Sequence, residues 1–275
     1  MRRINRAHKI LCAPIKIRLV IFSLIASISL ILTGLIFAQE TSSNPLQGKI
    51  IALDAGHGGT ELGATYPPNT GESATIYEKD VNLAVVYALK AKLEADNNLD
   101  GQPDNQVVLT RACDETISSR KERVDWAVEQ CKKLAGRKCD ALVSVHHNGN
   151  IDTTHDGTMV IYNERQDKPL AQALLDALVP LTGNNEGLDN GGYGMTVYNH
   201  LVSALTEAYY ITNDGEAQQY LSGTLMSVSE YNASSTCGHQ VRFGKRIEEE
   251  SGALYQGLVN YFSAPPQKPG NRKIQ

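Results

Sequence analysis

The chain has 275 residues, 41% of them hydrophobic, which is enough for one large folded domain or two small ones. All 30 Asp and Glu lie beyond residue 38, together with 20 of the 26 Lys and Arg, so that part carries a formal charge of −10. This acidic balance argues against nucleic acid as a partner.

The first 38 residues differ in kind from the rest. Residues 1–18 carry six basic groups and no acid, and residues 19–38 are uncharged and mainly apolar. Such a segment is long enough to cross a bilayer as one helix, and the basic flank predicts that the N-terminus stays in the cytoplasm. The segment is either a membrane anchor or the core of a signal peptide cut after Ala38, and its length favours the anchor. Both interpretations export the remainder to the periplasm or the cell exterior.

From Lys49 onward, strand patterns and helix patterns alternate along the chain. The predicted strands are Lys49–Asp54, Gln106–Arg111, Ala141–His146, Thr158–Tyr162, Met195–Tyr198 and Ser203–Thr206. The predicted helices are Tyr77–Ala95, Ser118–Leu134, Pro169–Leu181 and Val241–Phe262. This order predicts a single α/β domain of phosphorylase/hydrolase-like type, with a twisted, mainly parallel sheet and helices on both faces. We expect that domain over residues 48–263, after a polar linker at 39–47 and before a disordered tail at 264–275.

Four cysteines lie in the exported part, where the compartment is oxidising. Cys131 and Cys139 flank a short loop, so a disulfide between them is reasonable, and Cys113–Cys237 would then follow by elimination. Four free, buried thiols are the alternative. No Cys/His spacing indicates a structural zinc site.

Residues 96–104 match the start of a calcium-binding loop, D-x-N-x-D-G. Asp96, Asn98, Asp100 and Asp104 would supply the oxygen ligands to Ca²⁺. The twelfth position is Val107, where such loops carry a bidentate Glu. A polar turn is therefore favoured over a Ca²⁺ site.

Four ionisable side chains stand at the ends of predicted elements. His57 and His146 each stand at the end of an apolar strand, and Glu207 follows the short predicted strand Ser203–Thr206. Glu78 begins the first predicted helix. Because the carboxyl ends of parallel strands share one edge of a sheet, these side chains could converge there. Two His and one Glu form a typical catalytic zinc set, which needs a further carboxylate near the open position of the metal. Each position alone is equally well explained as a turn, a cap or a first-turn acid.

Taken together, four ordered segments resemble the motifs of zinc-dependent N-acetylmuramoyl-L-alanine amidases, the family that includes spore-cortex and cell-division amidases. The segments are Asp54–Gly59 (DAGHGG), Glu78–Leu83 (EKDVNL), Ser144–Asn148 (SVHHN) and Glu207–Asn213 (EAYYITN). The resemblance extends over roughly residues 48–263.

The resemblance implies one catalytic Zn²⁺ held by His57, Glu78 and His146, with Glu207 as the catalytic acid and base. His147 is expected to point away from the metal, because neighbouring side chains in a strand alternate. Four further residues are expected beside the metal or the substrate. These are Asp54, Asp80, Asn148 and Arg123, with Asp54 and Asp80 orienting imidazole N–H groups or serving only as caps and turns.

The implied reaction is hydrolysis of the amide between N-acetylmuramic acid and L-alanine in peptidoglycan, as part of cell-wall remodelling or lysis. The alternatives are a zinc peptidase or carboxypeptidase acting on wall peptides, and a non-catalytic wall-binding module. We expect a monomer whose contacts are with peptidoglycan and, through residues 19–38, with the membrane. The sequence departs from the family pattern at Tyr209, where Gly is typical, and at Tyr198-Asn199, where Leu-Arg is common. These departures predict an altered wall of the cleft.

Overall fold

A computed structural model describes residues 44–95, 105–192 and 194–265. The N-terminal apolar segment, the calcium-loop match and residues 266–275 lie outside these ranges. Within them, no helix is both long and apolar enough to cross a bilayer.

The centre of the domain is a six-stranded sheet in the order β4-β1-β5-β8-β6-β7. Every neighbouring pair in it is parallel except β8 with β6, which is antiparallel. Two small hairpins, β2–β3 and β9–β10, lie outside this sheet. The mainly parallel α/β architecture is confirmed. The described strands are β1 (Ile50–Ala55), β2 (Thr65–Tyr66), β3 (Ile76–Tyr77), β4 (Gln106–Leu109), β5 (Ala141–Asn148), β6 (Thr158–Tyr162), β7 (Asn185–Asn190), β8 (Ser203–Tyr210), β9 (Thr224–Ser227) and β10 (Gln240–Phe243).

Helices cover both faces of the sheet, as expected from the order of elements. Alternate residues of β1 explain why, since Ile51 and Leu53 enter the larger hydrophobic core while Ile50 and Ala52 enter a smaller one. Helices α1, α3 and α6 contribute to the larger core, and α2 packs on the smaller one. The described helices are α1 (Glu78–Ala95), α2 (Arg120–Ala135), α3 (Lys168–Leu178), α4 (Asp214–Leu221), α5 (Val228–Tyr231) and α6 (Lys245–Ser263).

The start of α2 is fixed by a side-chain cap. The Ser119 hydroxyl accepts a hydrogen bond from the backbone N–H of Glu122, which satisfies one donor of the first turn. At the other end, Gly136 takes a left-handed conformation with φ of 69° and donates to the carbonyl of Lys132. The first turn of α2 therefore begins at the edge of the sheet where the strands end.

Several segments differ from the sequence prediction. No element is predicted over β2, α4, β9 and α5, which the structure forms. Residues 194–197 form a 3-10 turn and not a strand. The segment predicted as one helix from Val241 begins with β10, because residues 240–243 pair with β9. Strand β7 has the sequence NEGLDN, which lacks the apolar alternation that marks a strand, and it is the edge strand of the sheet.

The structure contains two disulfides. Cys131–Cys139 joins the last turns of α2 to the segment before β5, and Cys113–Cys237 ties the loop after β4 to the segment before β10. The second bond links positions 124 residues apart. It therefore holds the loop between β4 and α2, which borders the site described below, to a distant part of the chain.

Candidate active site

His57, Glu78 and His146 come together at the carboxyl edge of the sheet. The His57 Nε2 atom lies 3.1 Å from Glu78 Oε2, and His146 Nδ1 lies 3.0 Å from Glu78 Oε1. The two imidazole rings meet edge to face with 4.8 Å between centroids. One ligand atom from each residue lies within 4.8 Å of those of the other two. Two nitrogens and one carboxylate oxygen at this spacing are a donor set that fits zinc.

Three different elements supply the triad. His57 follows β1 in a left-handed conformation with φ of 60°, Glu78 begins α1, and His146 lies near the end of β5. Two glycines leave the space that the side chains need. A Cβ atom on Gly56 would lie 2.2 Å from the His146 ring, and one on Gly63 would lie 2.3 Å from Glu78 Oε2. The close approach of the backbone thus requires glycine at both positions.

The Glu78 carboxylate is buried and held on both oxygens. Its Oε2 accepts from the backbone N–H of Ala64 at 2.8 Å, and its Oε1 accepts from that of His147 at 3.1 Å. Burial alone would raise the pKa of Glu78, but hydrogen bonds from the imidazoles of His146 and His57 outweigh it and hold this pKa well below its usual range. The carboxylate is therefore ionised, as a metal ligand must be.

Glu207 lies beside the triad on the neighbouring strand. It is the register partner of His146 across the β5–β8 pairing. Its Oε2 atom is buried and has no hydrogen-bond partner in the described part of the chain. Burial, and then the negative charge of Glu78, raise the pKa of Glu207 well above its usual range. These two effects favour the protonated form of the Glu207 carboxyl.

Asp54 and Arg123 form a buried pair below the triad. Arg123 Nη1 donates to Asp54 Oδ1 at 3.0 Å and to the carbonyl of Ala55 at 2.9 Å, while Nη2 donates to the carbonyl of His57. Burial would raise the pKa of Asp54, but Arg123 and hydrogen bonds from Ser144 and Thr110 lower it. The expectation that Asp54 orients an imidazole N–H is not met, because its hydrogen bonds go to the arginine and the hydroxyls. Its role is to fix Arg123, which fixes the backbone of His57.

Asp80 also differs from expectation. Its Oδ1 lies 2.8 Å from Nε2 of His239 and not against a ring of the triad. Together with Asp114, these residues place three potential ligand atoms close to one another. Lys79 Nζ lies 2.7 Å from Asp114 Oδ2, however, and so neutralises that carboxylate. We therefore interpret the cluster as a network of ion pairs.

His147 points to the opposite face of the sheet from His146, as predicted. Its Nδ1 lies 2.7 Å from Asn82 Oδ1, and its Nε2 lies 3.0 Å from Glu250 Oε2. Asn82 also donates to Glu78 Oε1 at 3.3 Å. Sequence reasoning assigned no role to Asn82, although it lies in the EKDVNL motif one helical turn after Glu78, where both side chains share one face.

Two residues that the sequence predicts at the cleft wall or beside the substrate lie elsewhere. Tyr209 is buried in the larger core, with its ring 4.4 Å from that of His147. The cause is a β-bulge, because the register of β8 on β5 shifts between His146 and Asn148. Asn148 does not line the cleft either, and its side-chain nitrogen is buried without a partner in the described residues. Of the departures from the family pattern, only Tyr198 lines the cleft, while Asn199 donates to Asp125 on α2 at 2.8 Å.

A cavity of about 510 Å³ opens beside the triad. His57, His146 and Glu207 line its inner end. Its walls come from the loop and first turn of α2 on one side and from the 3-10 turn and the sheet on the other. The wall residues are Ile117, Ser118, Ser119, Arg120, Arg123, Ile161, Gly194, Met195, Tyr198 and Leu205. The triad is therefore reachable from solvent through a groove large enough for several residues of a peptide or sugar.

Comparison with known proteins now identifies the family. The sequence profile of the Amidase_3 family, described as N-acetylmuramoyl-L-alanine amidase, matches residues 51–227, which is more than half of the chain. The chain belongs to this family. The match includes all four residues of the candidate site.

Individual relatives of the amidase family agree with this assignment. The chain is 27% identical over 181 residues to the N-acetylmuramoyl-L-alanine amidase LytC of Bacillus subtilis, covering 64% of this chain and 32% of LytC. It is 29% identical over 181 residues to the probable cell wall amidase LytH of Staphylococcus aureus, covering 65% of this chain and 54% of LytH. The chain thus spans less than two thirds of the length of either relative.

A solved structure has the same fold. The N-acetylmuramoyl-L-alanine amidase of Clostridium difficile 630 superposes with a TM-score of 0.59 and 23% sequence identity. The superposition covers 79% of this chain and 98% of that one. At this identity the likeness supports the amidase fold and not the details of the groove.

Proposed function

We propose that this member of the amidase family hydrolyses the amide between N-acetylmuramic acid and L-alanine in peptidoglycan, outside the cytoplasmic membrane. The observation that carries the proposal is the convergence of His57, Glu78 and His146 next to the buried carboxyl of Glu207. The groove beside them gives a polymeric substrate access to this set.

The triad is suited to hold one Zn²⁺ through two imidazole nitrogens and one carboxylate oxygen. The chemistry that zinc supplies in such a site is polarisation of the substrate carbonyl and a lowered pKa of water. Each ligand is fixed by its own surroundings. Glu78 is held by backbone N–H groups, and the backbone of His57 is held by Arg123.

Glu207 is the group that moves the proton. An amide nitrogen is a poor leaving group unless it is protonated. A carboxylate next to the metal position can take a proton from the attacking water and deliver it to the departing amine of alanine. The raised pKa of Glu207 favours the protonated form after the first transfer. Its unpartnered Oε2 leaves one oxygen available for this exchange.

Digestion of purified peptidoglycan followed by mass analysis of the products tests the proposal. Amidase action releases peptides that begin with a free L-alanine and leaves lactyl-bearing glycan without peptide. A zinc peptidase would leave alanine attached to the glycan, and a wall-binding module would release nothing. The Glu207→Ala variant should bind the same material without releasing peptide. Equal release by both proteins would contradict the proposed mechanism.

A further inference from the structure

Among the described residues that line the groove beside the triad, one cationic side chain is not otherwise engaged. Among the charged residues that line it, Asp54 and Arg123 bind each other, and Glu207 belongs to the site. Arg120 and Glu61 are exposed and have no side-chain hydrogen bond or ion pair to any residue that the structure describes. Arg120 stands at the first position of α2, in the wall of the groove.

A second depression, of about 520 Å³, is bordered by the chain on either side of β2 and by the loops after β5 and β8. Gly63 connects the two regions, since it lies against Glu78 and His57 and also lines this depression. No residue lining it is charged, and Ile151 at its border is 78% exposed. The lining residues are Leu62, Gly63, Ala64, Thr65, Pro68, Asn69, Gly71, Gly149, Asn150, Ile151 and Thr212.

The two halves of the substrate also differ in charge, as do the groove that contains Arg120 and the uncharged depression. The glycan of N-acetylated sugars is neutral. The stem peptide is anionic close to the scissile bond, because the residue after L-alanine is a D-glutamate joined through its side chain, with a free α-carboxylate. In some cell walls this carboxylate is amidated to give isoglutamine, which is neutral. An exposed guanidinium in the groove is complementary to such a carboxylate, and an uncharged depression is complementary to the glycan.

We propose that Arg120 binds the α-carboxylate of the second stem residue, so that the protein prefers stems with isoglutamate over stems with isoglutamine. The inference rests on the proposed amidase function. A guanidinium suits this task because it can form two parallel hydrogen bonds to one carboxylate. The carboxylate lies one residue beyond the scissile amide, and an extended residue spans about 3.5 Å. Arg120 lines the same groove as His57, His146 and Glu207.

Two matched synthetic substrates test the inference. They are N-acetylmuramoyl-L-alanyl-D-isoglutamate and its isoglutamine counterpart, each with the γ-carboxyl capped as an N-methylamide, so that they differ only in the charge of the α-carboxyl group. With the full chain in the presence of zinc, we expect kcat/KM to be about tenfold or more higher for isoglutamate, since a charge-assisted pair is lost with the amide. The preference should appear mainly in KM, because Arg120 contacts a group remote from the reacting atoms.

The variants Arg120→Gln and Lys121→Gln complete the test, since each removes one positive charge from adjacent residues. Lys121 lies outside the groove and is paired with Asp125. Arg120→Gln should bring the ratio between the two substrates close to one, and Lys121→Gln should retain the wild-type ratio. An unchanged ratio in Arg120→Gln, or an equal loss of the ratio in both variants, would overturn the inference.

A binding measurement separates this inference from the proposed function. Calorimetric titration with the product dipeptide, L-alanyl-D-isoglutamate capped at the γ-carboxyl as the N-methylamide, needs no turnover, and it should show weaker binding to Arg120→Gln than to Lys121→Gln. If the wild type hydrolyses neither substrate, the proposed function fails while the titration still decides the role of Arg120. If the wild type hydrolyses both substrates equally well and the dipeptide binds both variants alike, the proposed function stands and the inference fails.

Discussion

The ring of Tyr209 packs against the ring of His147, 4.4 Å away, on the face of the sheet that is opposite Glu207. The guanidinium of Arg246 lies 4.3 Å from the centre of the same ring. Tyr209 is thus placed between two side chains of a buried polar cluster that also contains Glu250 and Glu216. The sequence predicts that Tyr209 alters the cleft, but its side chain instead packs on the face of β8 opposite Glu207.

Removal of the Tyr209 hydroxyl should stabilise the protein. That oxygen is buried without a hydrogen-bond partner in the described residues, and an unsatisfied buried hydroxyl costs about 1–3 kcal/mol. We expect Tyr209→Phe to raise the free energy of unfolding in urea by about 1 kcal/mol. Tyr87→Phe is the matched control, because the Tyr87 hydroxyl donates to the carbonyl of Ala112 at 2.7 Å and its loss should be destabilising. A loss of stability in both variants would show that the Tyr209 hydroxyl has a partner.

A methyl group at Gly56 should abolish metal binding although no ligand is changed. The added Cβ would meet the His146 ring at 2.2 Å, so the imidazole must leave its position. We expect Gly56→Ala to lose at least most of its bound zinc by elemental analysis. Gly252→Ala serves as the control, since it lies within α6 and no atom would meet its Cβ within 4 Å. That variant should keep its zinc and gain about 0.5–1 kcal/mol of stability. Full zinc content in Gly56→Ala would contradict the described packing.

The two disulfides should contribute unequally to stability. In the chain-entropy account, the contribution grows with the length of the closed loop, which is 124 residues for Cys113–Cys237 and 8 for Cys131–Cys139. Replacing both cysteines of the long loop by Ala should lower the free energy of unfolding by about 5 kcal/mol, against about 2.5 kcal/mol for the short loop. Urea titrations of the two double variants measure this. Equal losses would mean that the reduced chain keeps structure across the long loop.

The ion pair between His239 and Asp80 should stabilise the protein at mildly acidic pH. The hydrogen bond to Asp80 raises the pKa of His239, and this outweighs the opposite effect of burial. Because the folded pKa lies above the unfolded value near 6.5, this stabilisation is fully present below about pH 6.5 and is lost as pH rises through the folded pKa. The cost of His239→Gln should therefore be about 0.5–1 kcal/mol larger at about pH 5.5 than at about pH 9. A cost that does not vary with pH would exclude a charged pair.

The triad could be predicted from the sequence because a local pattern marks each of its residues. Each of His57, His146 and Glu207 follows an apolar strand, and Glu78 begins a helix, so parallel order alone brings them to one edge. The same reasoning predicted that His147 faces away, since alternation needs no knowledge of partners. Asp80 was not placed correctly by this reasoning, because it binds His239 and no ring of the triad. His239 lies 159 positions away, and no motif marks it.

Features that depend on pairing between distant segments were not predicted. The side on which Tyr209 lies is set by a bulge in the register of β8 on β5, and no local pattern encodes it. The sequence pattern assigns β10 to the start of the last helix, because hydrophobic periodicity does not reveal the pairing of β10 with β9. The sequence also gives no sign of Arg120, since only the folded groove shows that its side chain lines the same cavity as the triad and pairs with no residue that the structure describes.

The most direct test of zinc-dependent hydrolysis by the triad and Glu207 starts from metal-free protein and titrates it with zinc. The measured quantity is the rate of peptide release from N-acetylmuramoyl-L-alanyl-D-isoglutamate. We expect no release without metal and a rate that rises linearly until one equivalent of zinc is bound. Glu207→Gln should bind the same equivalent and remain slower by about 10²–10⁴-fold, which is the usual contribution of a positioned acid and base. Full activity of the metal-free protein would contradict the role of zinc, and full activity of Glu207→Gln would contradict the role of Glu207 as acid and base.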